Sequence, residues 1–410
     1  TGEIYTLGAS DRTQSIYPCG HGGGTGTMRL NFGATVFDYP IGAVNDTTGF
    51  KALCTANLPA PAIPDPSEHH QVELVNHDGT STAFTCNWDT DLYHSLFIIK
   101  NRDTAESWRI VNTLTGITKY TAWDTPAAQV TDSTIISQSG TTVTLGAGLL
   151  NDNYVVECHK AGLIADVVTT NSGSISDTNF KRSTNTTSLF SIINYDGNLT
   201  TGATFDHGLG VPAEFYTIND LTTNNGFMTY HVSSGAGNSN YLSLWANGAA
   251  GWFGATDWAA NTIPDSTSIT LGVMNRVNPS GNACVCYAWA GVENYSAFGS
   301  YTASAGLPFL NHNLLPASLM AKRYSLTGQW CKYDTQRSPT NGPVTSQLYL
   351  DSTAVETINQ NRIDFVSNGI KIRSAFASLD PNVSGDYLYC MWGGTPIQGD
   401  GTDASQGRAR

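Results

Sequence analysis

Hydrophobic and polar residues alternate along this 410-residue chain in short runs. Residues 141–145 and 387–392, for example, are rich in β-branched or aromatic side chains and are bounded by Gly, Asn or Pro. This is the composition of β-strands between turns. The chain offers few amphipathic stretches of four helical turns. The pattern therefore predicts an all-β protein made of tandem antiparallel β-sandwiches, jelly-roll-like in character.

Landmarks of the chain recur after about a hundred residues. Pro212, in a Val-Pro-Ala segment, is followed 104 residues later by Pro316 in a Leu-Pro-Ala segment. Trp289, at the end of a Cys-Tyr-Ala-Trp run, is followed 103 residues later by Trp392. A nearly constant offset between landmarks that are themselves far apart indicates a duplicated folding unit the size of a small domain.

A third, more divergent copy lies upstream. Trp108 takes the place of Trp330, residues 96–100 resemble 319–322, and the strand-like run 153–162 resembles the one that ends at Gly291. The predicted organisation is three sandwich repeats, the last two clearly duplicated, with two linkers and a tail. In chain order these are a partial sandwich at 1–58, a proline-rich linker at 59–69, repeats at 70–162, 186–293 and 294–395 with a linker at 163–185, and the tail at 396–410.

The tail has a composition that cannot form a core of its own. Ile397 is its single aliphatic side chain, so burial cannot offset an ordering cost of ~1–2 kcal/mol per residue. We expect the tail to run along another subunit, where Arg408 and Arg410 pair with carboxylates of this acidic protein.

Charge and hydropathy exclude several function classes. The formal net charge is −13 with a pI near 4.9, which disfavours nucleic acid as a partner because phosphates need a basic surface. No run of 18 apolar residues is present, so no membrane insertion is expected. The chain begins at Thr1 without a secretory signal, and we expect that an N-terminal piece has been removed or left out.

Eight cysteines are scattered through apolar, strand-like contexts. Cys158, Cys286 and Cys390 each fall in the closing strand of a repeat, where a thiol behaves as a small hydrophobe. Cys284 and Cys286 lie two apart and so share one strand face, but two sulfurs are too few for a structural zinc site. Free buried thiols are the expectation, as in a protein folded in a reducing cytoplasm.

Catalytic chemistry is not evident in the sequence. No Gly-x-Ser-x-Gly nucleophile elbow is present, and His69 and His70 lack carboxylates at ligand spacing and are interpreted as linker ends. His207 and His312 precede the two Pro landmarks, which indicates an architectural role. We predict no enzyme activity, no cofactor and no metal. The two catalytic carboxylates of a glycosidase are brought together by the fold and not by sequence spacing, so the sequence cannot exclude such a pair. We interpret the candidate acids as turn residues; they are Asp196, Asp206, Asp257, Asp364, Asp380 and Asp386.

Aromatic residues crowd one part of the second repeat. Sugars stack on aromatic faces and accept hydrogen bonds from amides, so this region is a candidate contact for glycans. The alternative is that the rings pack beneath a long loop or against a neighbouring subunit. The candidate residues are Trp245, Trp252, Phe253, Trp258, Asn247 and Asn261.

The N-terminal segment resembles a known family. The strings 31–33, 37–39 and 49–59, the last reading Gly-Phe-Lys-Ala-Leu-Cys-Thr-Ala-Asn-Leu-Pro, look like the end of the SPRY-type β-sandwich of tailed-phage virion proteins. The repeats that follow, with His207 to Ala213 and the closing Tyr-Ala-Trp-Ala pattern, are similar to domains that accompany that sandwich. A SPRY sandwich needs more residues than precede the first repeat, so its other strands are expected from upstream sequence or a neighbouring subunit.

The resemblance implies a virion component of a tailed bacteriophage, assembled in the bacterial cytoplasm. The expected role is a fibre or appendage subunit, with host-surface polysaccharide as a candidate ligand. Expected partners are copies of itself, as a homotrimer that hides open strand edges, and other virion proteins. A capsid decoration or head-fibre protein is the first alternative, and a secreted polysaccharide-active enzyme is an alternative of another class.

Overall fold

The computed structural model describes residues 61–234, 240–249, 251–252, 258, 262–303, 308–339, 343–359, 361–373 and 385–394. All of them belong to one compact unit that contains Ala60–Gln398. The predicted partial sandwich at 1–58 and the tail at 396–410 lie outside these ranges. Within them the regular structure is strand, apart from 3-10 turns at Pro66–Glu68 and Ile164–Asp166, and the all-β prediction is confirmed. None of the described helices has the length and apolar character needed to cross a membrane.

The first sandwich has a large and a small antiparallel sheet. The large sheet has the order β1-β9-β3-β4-β5-β6 and the small sheet the order β2-β8-β7. The strands are β1 His70–Asn76, β2 Ser81–Thr85, β3 Tyr93–Asn101, β4 Arg109–Asn112, β5 Lys119–Thr121, β6 Val130–Thr131, β7 Ile136–Ser139, β8 Thr142–Gly146 and β9 Asn153–Leu163.

The second sandwich repeats this plan with one additional strand in its large sheet and one fewer in its small sheet. Its large sheet has the order β10-β11-β18-β13-β14-β15-β16, and its small sheet pairs β12 with β17. The strands are β10 Lys181–Asn185, β11 Phe190–Asp196, β12 Ala203–Asp206, β13 Phe215–Asp220, β14 Met228–His231, β15 Asn240–Ser243, β16 Gly251–Trp252, β17 Ser268–Leu271 and β18 Ala283–Trp289.

The third sandwich has the large-sheet order β19-β26-β21-β22-β23 and the small-sheet order β20-β25-β24. By strand order, β1, β11 and β19 are equivalent, as are the closing strands β9, β18 and β26. The predicted duplication is therefore confirmed, and the first sandwich shares its strand order. The strands are β19 Ser296–Ala303, β20 Phe309–Asn311, β21 Leu315–Arg323, β22 Trp330–Asp334, β23 Leu348–Tyr349, β24 Ile363–Val366, β25 Gly369–Ile372 and β26 Gly385–Gly394.

The segment 163–185, which the sequence predicted to be a linker, contributes to the second sandwich. It supplies β10, whose residues Lys181–Asn185 pair with β11, and it places Ile175 and Phe180 in that sandwich's core. Few hydrophobic residues stand in a strand-like alternation here, so the segment does not look like a strand by itself. It becomes one because it pairs with an edge that is already formed.

Each closing strand is buried on both faces. In β18, Cys284 and Cys286 face the core between the two sheets of their own sandwich. Val285 and Trp289 face the other way, into a core to which all three sandwiches contribute. Successive side chains of a strand point to opposite faces, so the three large sheets turn one face inward to a common centre. This shared core includes Val155, Phe190, Phe215, Val285, Trp289, Trp330, Leu388 and Trp392.

Candidate functional site

Three aromatic rings meet at the centre of the shared core, one from each sandwich. The ring centroids of His159 and Trp289 lie 5.6 Å apart, those of His159 and Trp392 5.2 Å, and those of Trp289 and Trp392 6.1 Å. All three contacts are edge-to-face, an arrangement that aromatic rings favour. The triangle joins the three repeats of one chain into a closed threefold arrangement.

Strand register places the three rings at equivalent positions. His159 lies opposite Leu96 of β3, and Trp289 lies opposite Phe215 of β13. Trp392 lies opposite Ser318 of β21. A bulge between Pro316 and Ser318 adds one residue to β21, so the offset between repeats is 104 before the bulge (Pro212 to Pro316) and 103 after it (Phe215 to Ser318).

The junctions between sandwiches also repeat in a cyclic order. At two of them, a group on the closing strand of one sandwich meets β4 or β14 of the sandwich that precedes it in the chain. Asn112 Nδ2 on β4 donates to Tyr287 Oη on β18 at 2.8 Å. His231 Nε2 on β14 lies 3.1 Å from the backbone oxygen of Tyr389 on β26.

Two tryptophans strengthen the same cycle of contacts. Trp108 of the first sandwich donates its Nε1–H to the backbone oxygen of Tyr349 in the third at 2.9 Å. Trp330 of the third donates to the backbone oxygen of Ser243 in the second at 3.0 Å. Both indoles are buried, so these bonds also satisfy donors that have no access to water.

The junction of the first and third sandwiches holds a cluster of charged and polar side chains, which we call the junction cluster. It consists of His70, Glu157, His159, Ser318 and Lys332. Glu157 Oε2 lies 2.5 Å from Lys332 Nζ, and Glu157 Oε1 lies 2.8 Å from His70 Nε2 and 3.6 Å from His159 Nε2. Ser318 Oγ donates to Glu157 Oε1 at 2.8 Å and accepts from Lys332 Nζ. Every member is buried.

The environment fixes the charges of this cluster. Burial by itself would raise the pKa of Glu157, but the Lys332 ammonium, the nearby His159 imidazole and the hydrogen bond with His70 outweigh it and hold that pKa well below its ordinary value. Burial lowers the pKa of His159 to about 4, against a smaller opposing effect of the neighbouring Glu157 carboxylate. Glu157 is therefore charged and His159 neutral at pH 7.

Three side chains of the junction cluster could in principle serve as metal ligands. The ligand atoms of His70, Glu157 and His159 lie within 4.8 Å of one another, and two imidazoles with a carboxylate can bind zinc. However, Lys332 already supplies a cation to Glu157. A divalent ion would add two uncompensated charges to a buried site, so the arrangement fits a buried ion pair better than a metal centre.

The junction cluster cannot be read from the sequence alone. The sequence predicts that His70 ends a linker, whereas His70 is the first residue of β1 and lies opposite His159. A signal was present: Glu157 and His159 are polar residues on one face of a strand whose neighbouring positions are apolar. Such residues need buried partners, but the partners of Glu157 are 87, 161 and 175 positions away and cannot be read from local sequence.

The six predicted glycan-contact residues do not form one described cluster. Trp258 is 1% exposed and stacks on Tyr216 in the core of the second sandwich, with centroids 6.0 Å apart. Its faces are occupied by protein, which removes it from the predicted contact. Trp252 is described only as backbone in β16, and Phe253 and Asn261 lie outside the described residues.

Trp245 and Asn247 remain near the surface of the second sandwich. Trp245 is half-buried, and the Arg276 guanidinium lies 5.5 Å from its ring centroid. Asn247 is exposed, and its backbone oxygen accepts a hydrogen bond from Gly328 N of the third sandwich at 2.8 Å. Asn247 therefore lies where the second and third sandwiches meet, whereas the Trp245 ring lies against Gly226 and Arg276 of its own sandwich.

The other titratable residues of interest make local bonds. His207 Nε2 lies 3.0 Å from the backbone oxygen of Asp265, and His312 Nε2 lies 2.7 Å from Tyr389 Oη. Among the acids, Asp206 pairs with Arg182, Asp364 with Arg373, Asp196 accepts from Asn179 and Asp386 accepts from Thr302. Asp257 and Asp380 lie outside the described ranges.

Comparison with known proteins places the three sandwiches in a family. A family model described as a domain of unknown function, DUF7483, matches residues 65–396. This span begins just before β1 and ends just after β26, so it covers all three sandwiches. No curated protein and no solved structure matches the chain.

Proposed function

The chain belongs to the DUF7483 family, and we propose that it is a structural protein of a tailed-bacteriophage virion, a subunit of a fibre or appendage. The observation that supports this role is the closed triangle of His159, Trp289 and Trp392. A chain whose three sandwiches share a core is a rigid block, because no sandwich can move without exposing apolar surface of the other two.

The use of buried polar groups supports the same role. Glu157 and Lys332 are placed to join two sandwiches, as are Asn112 and Tyr287. Groups that are fully engaged in holding sandwiches together contribute to rigidity and to the uniqueness of the packing. This use of polar chemistry suits a component that bears load in a particle.

The phage context rests on the sequence resemblance at residues 31–59. Low charge and abundant Thr, Ser, Asn and Gly are compatible with a protein whose surface is largely strand and turn. Host-surface glycan is the proposed ligand, with the exposed Asn247 and half-buried Trp245 as its contact among the described candidates. Neither residue takes part in the shared core.

Self-association has to use surfaces other than the shared core. The threefold arrangement that a homotrimer would provide is already present among the sandwiches of one chain. The proposed homotrimer would therefore place three such blocks together, and other virion proteins would bind the same outer surfaces.

Particles purified by density gradient from the source bacterium test the proposal. We expect the chain to co-sediment with particles, to resist a high-salt wash, and to be labelled by antibody on the tail or its appendages. Labelling on the capsid would favour a decoration or head-fibre protein instead. If the chain is absent from particles and the purified protein releases reducing ends from host polysaccharide, the proposal fails in favour of the enzyme alternative.

A further inference from the structure

One strand edge of the first sandwich differs from its counterpart in the second. In the second sandwich β11 lies between β18 and β10, so both of its edges are paired. In the first sandwich the equivalent strand β1 pairs with β9 alone among the described residues. An unpaired edge presents a row of backbone donors and acceptors that another strand can join.

The register shows which backbone groups are free to bond. Lys160 N donates to the backbone oxygen of His69, and His77 N donates to the backbone oxygen of Asp152. In an antiparallel pair the bonded positions alternate, so Gln71, Glu73 and Val75 face β9. The N–H and C=O groups of Val72 and Leu74 point to the open side. Their equivalents in β11 are Ile192 and Asn194, which lie opposite Ser183 and Lys181 of β10.

Two adjacent grooves run along this open edge. A groove of about 560 Å³ lies between β1 and the third sandwich, and a groove of about 420 Å³ lies between β1 and β2. Gln71, Glu73 and Asn87 line both of them. Two acids, Asp65 and Glu73, line the grooves, and no Lys or Arg is among their described lining residues. The edge is therefore both open and acidic.

The added strand of the second sandwich is basic. β10 has the sequence Lys-Arg-Ser-Thr-Asn, and Arg182 lies opposite Ile193. Glu73 occupies the place of Ile193 in the first sandwich, because His70 and Phe190 lie opposite the equivalent residues His159 and Trp289. In the second sandwich Arg182 forms an ion pair with Asp206 on β12 of the small sheet. In the first sandwich a carboxylate stands on the edge strand itself, at Glu73.

From these observations we infer that the β1 edge binds an extended segment of a partner polypeptide as an added antiparallel strand. The segment carries a Lys or Arg opposite Glu73, as β10 carries Arg182 opposite Ile193. Backbone bonds to Val72 and Leu74 supply the attachment, and the charge selects the sequence. An isologous pairing of two β1 strands centred on Glu73 is disfavoured because it would place the two carboxylates side by side. The inference concerns partner binding and is independent of the virion proposal.

An inward-pointing charge on an edge strand can also serve to prevent pairing. The two roles differ in their response to charge: a protective acid rejects every strand, whereas a selective acid accepts a basic one. A peptide with the sequence of residues 179–185, Asn-Phe-Lys-Arg-Ser-Thr-Asn, labelled with fluorescein and capped at both ends, distinguishes them.

The experiment measures fluorescence anisotropy of this peptide with the full-length protein. We expect saturable binding tighter than about 1 mM, with slower hydrogen exchange in the protein's 70–76 segment. N-methylation of the peptide's serine removes the N–H that faces Val72 and should weaken binding at least about 10-fold. Glu73→Lys should weaken binding at least about 5-fold, and a peptide with Arg replaced by Glu should restore it.

Glu293→Lys is the matched control, because Glu293 is an exposed acid outside both grooves, and it should leave binding within about twofold. Absence of saturable binding overturns the inference, including the case in which residues of the same chain already occupy the edge. A peptide affinity that is unchanged by N-methylation and by Glu73→Lys also overturns the inference, since the peptide then binds elsewhere.

Discussion

Glu157 of the first sandwich and Lys332 of the third form an ion pair with 2.5 Å between Oε2 and Nζ, and both side chains are 3% exposed. The pair lies beside the ring triangle, and both groups are largely shielded from water. We therefore expect Glu157→Gln to lower the free energy of unfolding by about 3–5 kcal/mol, because it leaves the Lys332 ammonium uncompensated. Chemical denaturation monitored by tryptophan fluorescence measures the change.

A double variant separates the effect of the unpaired Lys332 charge on stability from the effect of altered packing. Adding Lys332→Met to Glu157→Gln removes the orphaned charge and should recover at least about 1 kcal/mol. Glu293→Gln is the control for an exposed glutamate and should be neutral within about 0.5 kcal/mol. A Glu157→Gln protein as stable as this control would contradict the role assigned to the pair.

The shared core predicts that damage at its centre spreads to all three sandwiches. Trp289→Ala should cost about 3–5 kcal/mol and should speed hydrogen exchange in β9 and β26 as well as in its own strand β18. Phe84→Ala is the comparison, since Phe84 lies in the core between the sheets of the first sandwich and should affect that sandwich most. If Trp289→Ala loosens β18 alone, the three sandwiches do not share their stability.

Two fully buried histidines predict a loss of stability in mild acid. Burial lowers the pKa of His159 and of His231 to about 4 in each case, below an unfolded value near 6.5. A group whose folded pKa is depressed stabilises the fold above its unfolded pKa, and this contribution is lost as pH falls toward the folded pKa. Between pH 6.5 and 4 the two together should remove up to about 3 kcal/mol per pH unit.

His231→Gln tests that origin by denaturation at several pH values. The variant lacks one of the two titrating groups, so its stability should fall about 1.4 kcal/mol per pH unit less steeply than that of the parent over this window. The parallel variant His312→Gln changes a histidine that is only half-buried and should alter the slope less. Equal slopes for all three proteins would refute the assignment to His231.

The described cysteines should resist modification in the folded protein. Cys86, Cys158, Cys284, Cys286, Cys331 and Cys390 are free and buried, as the sequence predicted. Burial raises the pKa of Cys286 well above its ordinary value, so the reactive thiolate is scarce. We expect N-ethylmaleimide to label these six only as the protein unfolds, as shown by peptide mass spectrometry. Rapid labelling of Cys286 in native buffer would mean that the second sandwich opens locally.

The two tryptophans of the candidate glycan region whose side chains are described, Trp245 and Trp258, should behave differently. Trp245→Ala should abolish any binding to host polysaccharide with a stability cost below about 2 kcal/mol, because the ring is half-buried. Trp258→Ala should cost about 3–5 kcal/mol because it empties a packed core position. A glycan array and thermal unfolding measure the two effects. If Trp245→Ala binds every glycan as the parent does, the proposed contact is wrong.

Much of the fold could be predicted from the sequence, because strand class and strand facing depend on local pattern. Alternation in segments such as 284–289, with Cys, Cys and Ala facing one way and Val, Tyr and Trp the other, specifies a strand with two apolar faces. The spacing of Trp289 and Trp392 likewise specified the duplication. The edge strand β10 could not be predicted in this way, since it depends on pairing with β11 rather than on its own composition.

By itself, then, the sequence determined an all-β chain of repeated units, with free thiols among its described cysteines, because period-two alternation and turn residues act over a few positions. Only the tertiary structure decided what covers the second face of each closing strand: the large sheets of the other two sandwiches. It also decided that His70 is a core residue and that Trp258 is not a surface ring. The physical reason is distance along the chain, since Glu157 and Lys332 are 175 residues apart and nothing in either local sequence specifies its partner.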